Sequence, residues 1–544
     1  MTLSNNERQS IIDNVQSTAC PHSFVFTPVN EDYVGKIISK LDESKATGAD
    51  DISIRLLREG NQNIAQWITQ FINLSFSLGV YPDEWKHAKI TPLHKKGDRN
   101  LCANYRPISI LNAASKVIER IAHKQLHDYV IKYGLLNKVQ FGFRPGHSTG
   151  AALGCMVDDW SHSIDIGRVI AAIFVDLKRA FDTVDPSVMS LKLKRKGVSD
   201  LALKWFHSYL TNRNQQVDVR GTTSNNEQLS HGVPQGSILG PLLFLIYIDD
   251  IVDVIKNGDI VMYADDTTLY VSGTSLHDVQ NKLQEDVNAL KHWIEDNRLH
   301  LNAEKTKLMV IGSRQRLRIC NNESIHIEYD GKVIEQCFTI KCLGVIIDEH
   351  ILWHDHVKSV CKKVFAGLAV LRRVRPFVDN NILNLLYMCL VQSQMDYCCE
   401  IWGNRFNSHI ELITKLQKRA ARLILKCNMF TSSKEMFSKL KWMPFKQRVQ
   451  YFKCLFVFKC INNLSSEFYA DIFKPISEIH GRDTRSSSNN NLAIPKCRTE
   501  YYNHALRCSG SVLWNDLPTE FKQKCSLESF KRMLKKHLFT DAYE

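Results

Sequence analysis

The sequence predicts an α+β protein, and three observations carry that expectation. "RVIAAIFVDL", residues 168–177, is almost continuously apolar, as suits a strand buried on both faces. "DIVMYADDTTLYV", residues 259–271, places runs rich in aromatic and β-branched residues on either side of Asp265 and Asp266, the pattern of a β-hairpin. Around both, apolar residues recur at helical spacing, and from about residue 349 onward the pattern is mostly helical.

At 544 residues the chain is too long for one core, and two to four domains are expected. With 44% hydrophobic and 23% charged residues it has an ordinary globular composition. The N-terminus, "MTLSNNERQS", is polar and lacks the apolar run of a signal peptide. "PLLFLIYI" falls far short of the roughly 20 apolar residues of a spanning helix. A soluble protein without a membrane partner is expected. Its 16 cysteines are scattered with no CxxC pair, which predicts free thiols in a reducing compartment, nucleus or cytoplasm. Cys337, Cys342, His354 and His356 match no common zinc spacing, so buried thiols are expected there instead.

The distribution of charge says more than the net +13. Residues 1–350 hold 39 Lys+Arg against 41 Asp+Glu, and residues 351–544 hold 31 against 16, a net of +15. A basic last third predicts a polyanionic partner, against the plainer reading of a solvated surface. A smaller basic island at 86–147 has 12 Lys+Arg and three acids.

In chain order, residues 1–30 show no periodicity and read as a loose tail. "YVGKIISKLDESKATGADDI" reads as an amphipathic helix broken at Thr47-Gly48, and "NIAQWITQFINLSFSLGVYPDEW" as a helix stopped by Gly79 with Pro82 beyond. "WKHAKITPLHKKGD" is extended and Lys-rich, and "SKVIERIAHKQLHDYVIKYGLL" is helical. After the strand at 168–177, "KRAFDTVD" turns toward a helix. "HGVPQGSILGPLLFLIYIDDI" is a Gly/Pro-rich loop followed by a strongly apolar helix. "LHDVQNKLQEDVNALKHWIEDNRLHLN" is helical with an acidic outer face, and "KTKLMVIG" and "KCLGVIID" are short strands. "HVKSVCKKVFAGLAVLRRV" and "ELITKLQKRAARLILKC" are helices with basic faces; "GRDTRSSSNNN", 481–491, is an exposed loop or linker.

Two Asp between apolar runs are, by themselves, an ordinary turn. Asp176, at the end of an interior strand, changes that reading, because a carboxylate there is costly unless something pairs it. Strand-end Asp176 and hairpin-tip Asp265 and Asp266 together suit a two-metal site for phosphoryl transfer. Two divalent cations about 3.5–4 Å apart would activate an attacking 3′-hydroxyl and neutralise departing pyrophosphate. Mg²⁺, or Mn²⁺ in its place, takes such oxygen ligands and relieves their mutual repulsion.

"HKKGD", "NYRPISIL", "QFGFRPGHST", "FVDLKRAFDTVD", "GVPQGSILGPLLF" and "YADDTTLY" occur in the order found in reverse transcriptases of non-LTR retrotransposons. From about residue 36 to 348 the chain resembles the polymerase of a jockey-like or CR1-like element. "LQKRAARLI" and "WNDLP" are weaker marks of the region that follows the polymerase. The resemblance implies a right-hand polymerase of fingers, palm and thumb. Residues 1–35 would be a tail, 36–85 a helical extension of the fingers, and 86–348 fingers and palm. Residues 349–544 would be a thumb-like, basic helical C-terminal region.

The resemblance also implies roles. Asp176 and Asp265 would be metal ligands, with Asp266 the supporting third carboxylate. Phe181 falls where the family puts an aromatic under the incoming sugar, a ring that would clash with a 2′-hydroxyl; alone it would read as a core Phe. Gln235 and Gly236 match the loop near the nascent base pair, where a glycine permits close backbone approach. Lys95 and Arg106 would contact the triphosphate, with Lys96 competing for the role of Lys95. Lys305 matches the position proposed to donate a proton to pyrophosphate, and Leu343 and Gly344 resemble the primer-contacting turn. Template RNA, a DNA primer or target DNA, and dNTPs would be the partners.

Two departures stand out. Relatives usually carry an endonuclease upstream, whereas about 35 residues precede the first motif here, so this chain would copy RNA without nicking its own target. Asp51, in "GADDIS", stands where relatives often have Gly. The rival reading is an inactive or domesticated element product that only binds nucleic acid; intact Asp176, Asp265, Asp266, Arg106 and Gln235 argue against it. A group II intron maturase-like protein would need an intron-binding domain, and none is identifiable.

Overall fold

The computed structural model describes residues 20–319, 325–479 and 490–543. Two compact units make up the chain. The first comprises residues up to Phe143, Leu177–Val254 and Ala289–Asn302; the second comprises Arg144–Asp176, Ile255–Asn288 and Ala303 onward. The chain thus passes from one to the other five times, where the sequence suggested consecutive blocks.

Helices of nine residues or more are numbered in chain order. They are α1 (Glu31–Ser39), α2 (Asn61–Leu78), α3 (Ala113–Lys132), α4 (Thr149–Asp165), α5 (Pro186–Arg195), α6 (Asp200–Leu210) and α7 (Gly240–Ile248). After them come α8 (Leu276–Asp296), α9 (His354–Val374), α10 (Asn407–Leu425), α11 (Phe445–Ile461), α12 (Leu506–Asp516) and α13 (Leu527–Tyr543). Among the described residues, no helix is long and apolar enough to cross a membrane.

The first unit holds a five-stranded sheet. β1 (His87–His94) lies between β2 (Tyr105–Ile110), antiparallel to it, and β4 (Arg213–Val219), parallel to it. The Lys-rich extended stretch is therefore an inner strand. Its Pro92 lies beyond Ile90, the last residue paired with β4, so the missing N–H breaks no bond there. α2 ends at Gly79 in the left-handed region (φ +67), as its glycine predicts.

Residues 20–35, expected to belong to a tail, are packed instead. Phe24 is buried, its N–H donating to the Gly197 carbonyl at 2.7 Å, and Phe26 stacks on Phe76 at 4.0 Å. The stretch has no period because its aromatic residues fill a pre-existing cluster around Trp205 instead of building an element of their own. α1, whose first turn is capped by the Asn30 side chain, stops at Lys40, well before Thr47-Gly48. Asp51 has φ +53, which gives a physical reason for a glycine to suit that position.

The second unit is built on an antiparallel sheet in the order β7-β8-β3-β9. β3 (Val169–Val175) is central, and all seven of its residues are buried, as its unbroken apolar sequence requires. It pairs with β8 (Asp266–Gly273) on one side and β9 (Lys307–Ile311) on the other. β7 (Asp259–Tyr263) completes the hairpin. α4 packs through Trp160, whose ring meets Phe174 and Tyr270 edge-on at 6.4 and 5.7 Å.

The C-terminal residues are integral to this unit. Asp158 of α4 accepts the N–H groups of Leu506 (2.6 Å) and Arg507 (3.0 Å), satisfying the open donors at the start of α12. Asp165 accepts from the Arg498 and Thr499 backbone and from the Thr499 hydroxyl. "KCLGVIID", expected as one strand, is two: β12 (Thr339–Cys342) and β13 (Val345–Asp348) turn back through Leu343 (φ +45) and Gly344 (φ +85). The 481–491 linker lies largely outside the described residues. His354 pairs with His409, at 2.8 Å between ring nitrogens, while Cys342 is buried on β12.

Candidate active site

Pairing of β7 with β8 runs up to Tyr263 and Asp266, leaving a loop of two residues, Ala264 and Asp265. The left-handed residue of that loop is Ala264 (φ +56), a conformation that costs a non-glycine residue roughly 1–2 kcal/mol. The first loop position of such hairpins ordinarily belongs to glycine.

The register then organises the carboxylates. On one side of β3, Val175 faces Thr267, so one further step sets Asp176 opposite Asp266. On the other side the β3–β9 pairing ends at Phe174 and Lys307, and Lys305 sits in the turn that precedes β9. Asp176 follows β3, Asp266 opens the neighbouring β8, and Lys305 approaches from the turn before β9. Lys305 Nζ lies 3.3 Å from Asp176 Oδ2. Both side chains are substantially exposed, so this pair is worth at most about 1 kcal/mol. The Asp176 N–H donates to Thr306 Oγ1 at 3.2 Å, and Thr306 is fully buried. Asp176 and Asp265 are half-buried and Asp266 is exposed. Cys342 of β12 lies near enough that the Asp266 charge adds to burial in pushing its thiol up to about 12.

The remaining candidates belong to the first unit. Phe181 lies in a short helical turn, Ala180–Thr183, entered through left-handed Arg179 (φ +48). Its ring stacks on Phe244 of α7 at 4.2 Å and meets Phe143 edge-on at 6.3 Å. Its carbonyl accepts the Val233 N–H at 2.9 Å, which ties the turn to the Gly/Pro-rich loop. In the same loop Gln235 Nε2 donates to Asp182 Oδ1 at 2.7 Å. Burial pushes the Asp182 carboxyl up, against the pull of that hydrogen bond and of Arg179. Gly236 has φ +120, and a Cβ on it would lie 2.7 Å from the Ser109 carbonyl oxygen of β2. Ser109 N–H in turn donates to the Gln235 carbonyl at 2.7 Å.

Lys95 and Arg106 are exposed on the β1–β2 ladder. Arg106 faces Leu93, and the Lys95 N–H still bonds the Asn104 carbonyl at 2.8 Å. Alternation puts Lys95, two residues past Leu93, on the face of Arg106, while Lys96 lies in the bend beyond the ladder. That separates two lysines which composition leaves equivalent.

The candidates therefore fall into two sets: Asp176, Asp265, Asp266 and Lys305 in the second unit, and Lys95, Arg106, Phe181, Gln235 and Gly236 in the first. Thr306, Asp182, Phe244 and Ala264 were not singled out from the sequence. Asp182 was visible as an acid six residues past Asp176, but its partner Gln235 lies 53 residues away. Among the described residues, no three of His, Cys, Asp and Glu form a group able to hold a metal ion by themselves.

The family model for reverse transcriptase (RNA-dependent DNA polymerase) matches residues 93–347. The chain is 28% identical over 428 residues to the "Probable RNA-directed DNA polymerase from transposon X-element" of Drosophila melanogaster, covering 76% of this chain and 46% of that protein. It is 27% identical over 432 residues to the corresponding protein from transposon BS of the same organism, covering 77% and 47%. It is 27% identical over 415 residues to the RNA-directed DNA polymerase from mobile element jockey, also of D. melanogaster, covering 74% and 44%. The chain spans about half the length of these curated relatives, and the similarity extends well past the family model. Residues 93–347 are a reverse-transcriptase-like domain related to the Pol proteins of non-LTR retrotransposons.

Proposed function

We propose that the chain is an RNA-directed DNA polymerase of the non-LTR retrotransposon kind, adding deoxynucleotides to a primer 3′-hydroxyl along an RNA template. The observation that supports this most is the setting of Asp176, which follows central β3 with Asp266 opening the neighbouring β8 and Lys305 at 3.3 Å, inside a region that matches the reverse transcriptase model. Like charges set opposite one another in a sheet are unfavourable without a counter-charge, and Lys305 offsets only part of it.

Mg²⁺, two ions or Mn²⁺ in their place, fits the donor set. It is a hard cation that binds through one or two carboxylates and fills its remaining positions with water and phosphate oxygens. Partly exposed Asp176, Asp265 and Asp266 would supply the carboxylates of such a site, with the nucleotide completing it. The bound ions would make the 3′-hydroxyl a better nucleophile and offset charge on the leaving pyrophosphate.

The chain's own residues do the rest. Thr306 and the β3 ladder fix the Asp176 backbone, and Lys305 holds its carboxylate while carrying a proton that pyrophosphate can take. Phe181, braced by Phe244, is a rigid wall against a 2′-hydroxyl. Gln235, tied to Asp182, and Gly236, tied to β2, shape the loop for the base pair. Arg106 and Lys95 bind triphosphate from one strand face. In this reading a right-hand architecture of fingers, palm and thumb carries these parts, in a reducing compartment.

The test is primer extension by purified protein on poly(rA)/oligo(dT) with Mg²⁺ or Mn²⁺. Incorporation of dTTP is expected. Tight binding of the template–primer with no incorporation in either metal would instead identify an inactive element product that only binds nucleic acid.

A further inference from the structure

Two of the free thiols stand together in the second unit. Half-buried Cys497 points its Sγ at the Cys508 Sγ, 3.0 Å away, and at the Pro495 carbonyl, 3.4 Å away. The two sulfurs are only about 1 Å farther apart than in a disulfide bond. Cys508 is buried beside Tyr502 and Ala505, and Cys497 packs against that cluster.

The surroundings hold the pair in this relation. Cys497 immediately precedes Arg498 and Thr499, whose N–H groups donate to Asp165. Cys508 immediately follows Leu506 and Arg507, whose N–H groups donate to Asp158. Both carboxylates belong to α4, so one rigid helix sets the distance between the two backbones that carry the sulfurs. Between them Tyr502 also meets α4, its ring 5.1 Å from that of His162. The two backbones cannot separate without breaking one of these anchors.

We propose that Cys497 and Cys508 form a dithiol–disulfide site, oxidised by a small-molecule disulfide of the glutathione kind to a bond that closes residues 497–508 into a covalent loop. In the first step the Cys497 thiolate, the accessible one, attacks a sulfur of the small disulfide, forms a mixed disulfide and expels one small thiolate. In the second, the Cys508 thiolate attacks the Cys497 sulfur, forms the Cys497–Cys508 bond and expels the other. Two protein thiols are oxidised, one small disulfide is reduced, and both protons end on the released thiols. Burial, the neighbouring Cys497 and the Asp158 charge push the Cys508 thiol up, which makes the second step the slow one. The site needs neither metal nor nucleic acid and does not rest on the polymerase reading.

The test uses the full chain, incubated with oxidised glutathione, alkylated with iodoacetamide and digested with trypsin, which cuts after Lys496 and Arg507. The expected product is a linked pair of peptides beginning at Cys497 and Cys508, two hydrogens lighter than the free peptides together. With the oxidant removed, the oxidised protein should melt roughly 5–10 °C above the reduced one, the gain for closing a loop of about 12 residues, and dithiothreitol should abolish that gain. Cys497→Ser and Cys508→Ser, each treated with the same oxidant, should show no gain. Both cysteines still open to iodoacetamide after oxidation, a lasting glutathione adduct on Cys497, or either cysteine linked to a third one overturns the proposal. So does a rise in melting point of the same size in the serine variants.

Discussion

Replacing Gly236 with Ala isolates a single physical demand of the loop. Its φ of +120 lies outside what residues with a side chain adopt, at a cost of roughly 1–3 kcal/mol. The new Cβ would also fall 2.7 Å from the Ser109 carbonyl oxygen, which is main chain in a paired strand and has little room to yield. Moving the loop away instead strains the Ser109–Gln235 bond of 2.7 Å, worth about 0.5–1.5 kcal/mol. The expected total is about 2–4 kcal/mol. Gly221 is the control: it has φ +84 with nothing within 4 Å of its Cβ position, so Ala there should cost only about 1 kcal/mol. At about 2–4 °C per kcal/mol for a unit of this general size, G236A should melt roughly 4–16 °C below wild type and G221A only a few degrees below. Differential scanning fluorimetry of the full chain reads the difference. Because Gln235 moves with Gly236, primer extension should collapse in G236A and survive in G221A. Equal melting points and equal activities for the two variants would refute the reasoning.

Asp265→Asn, and equally Asp176→Asn, should take primer extension to background while leaving RNA binding intact; appreciable synthesis by either sinks the carboxylate assignment. Phe181→Val should raise CTP incorporation relative to dCTP, and Phe244→Ala should do so more weakly by freeing the Phe181 ring; an unchanged ratio in an active Phe181→Val enzyme places the discrimination elsewhere. Asp158 is fully buried, and burial pushes its carboxyl up to about 7, against the pull of Arg507 and two backbone N–H groups. An acid whose folded pKa exceeds its unfolded value of about 3.9 favours the folded state while protonated, so this contribution is full below about pH 4 and is lost as pH rises through 7. It amounts to on the order of 4 kcal/mol. Melting curves from pH 5 to 8.5 should therefore show a decline with pH that flattens in Asp158→Asn; the same decline in both excludes this group. Cutting the chain near residue 350 should give an aggregated product without a near-UV circular dichroism signal, because α4 loses the partners of Asp158 and Asp165; a monodisperse, cooperatively melting fragment would contradict that.

β3, the Asp265–Asp266 hairpin and the long helices were legible in the sequence because period and composition are local properties, and each element declares its own. The placement of Asp176 at a strand end and of Asp265 and Asp266 at a hairpin tip was legible because such acids are unusual company for apolar runs. The geometry relating them to Lys305 was not, since it follows from which strands flank β3, and β9 begins 132 residues after β3 ends. Pattern alone read "KCLGVIID" as one strand, because strands of four residues are too short to show alternation, and only the resemblance put a turn at Leu343 and Gly344. Residues 20–35 were misread for the opposite reason: Phe24 and Phe26 belong to a cluster whose other members come from α2 and α6. The C-terminal third read as an appended basic region because its charge is conspicuous, while the two carboxylates that anchor it lie in α4, more than 300 residues away.

That distance has a consequence during synthesis. The Asp158 carboxylate and the Leu506 N–H are 348 positions apart, so at about 5–20 residues per second roughly 20–70 s separate their appearance on the ribosome. In that interval the β3–β8–β9 sheet can assemble and seat Trp160, while the opposite side of α4 remains bare. A ribosome that stops short of Leu506 releases a product in this condition, a ready substrate for chaperones and proteases. Quality control of the chain thus turns on the segment that supplies Arg498 and Leu506, whatever the state of the candidate site made long before.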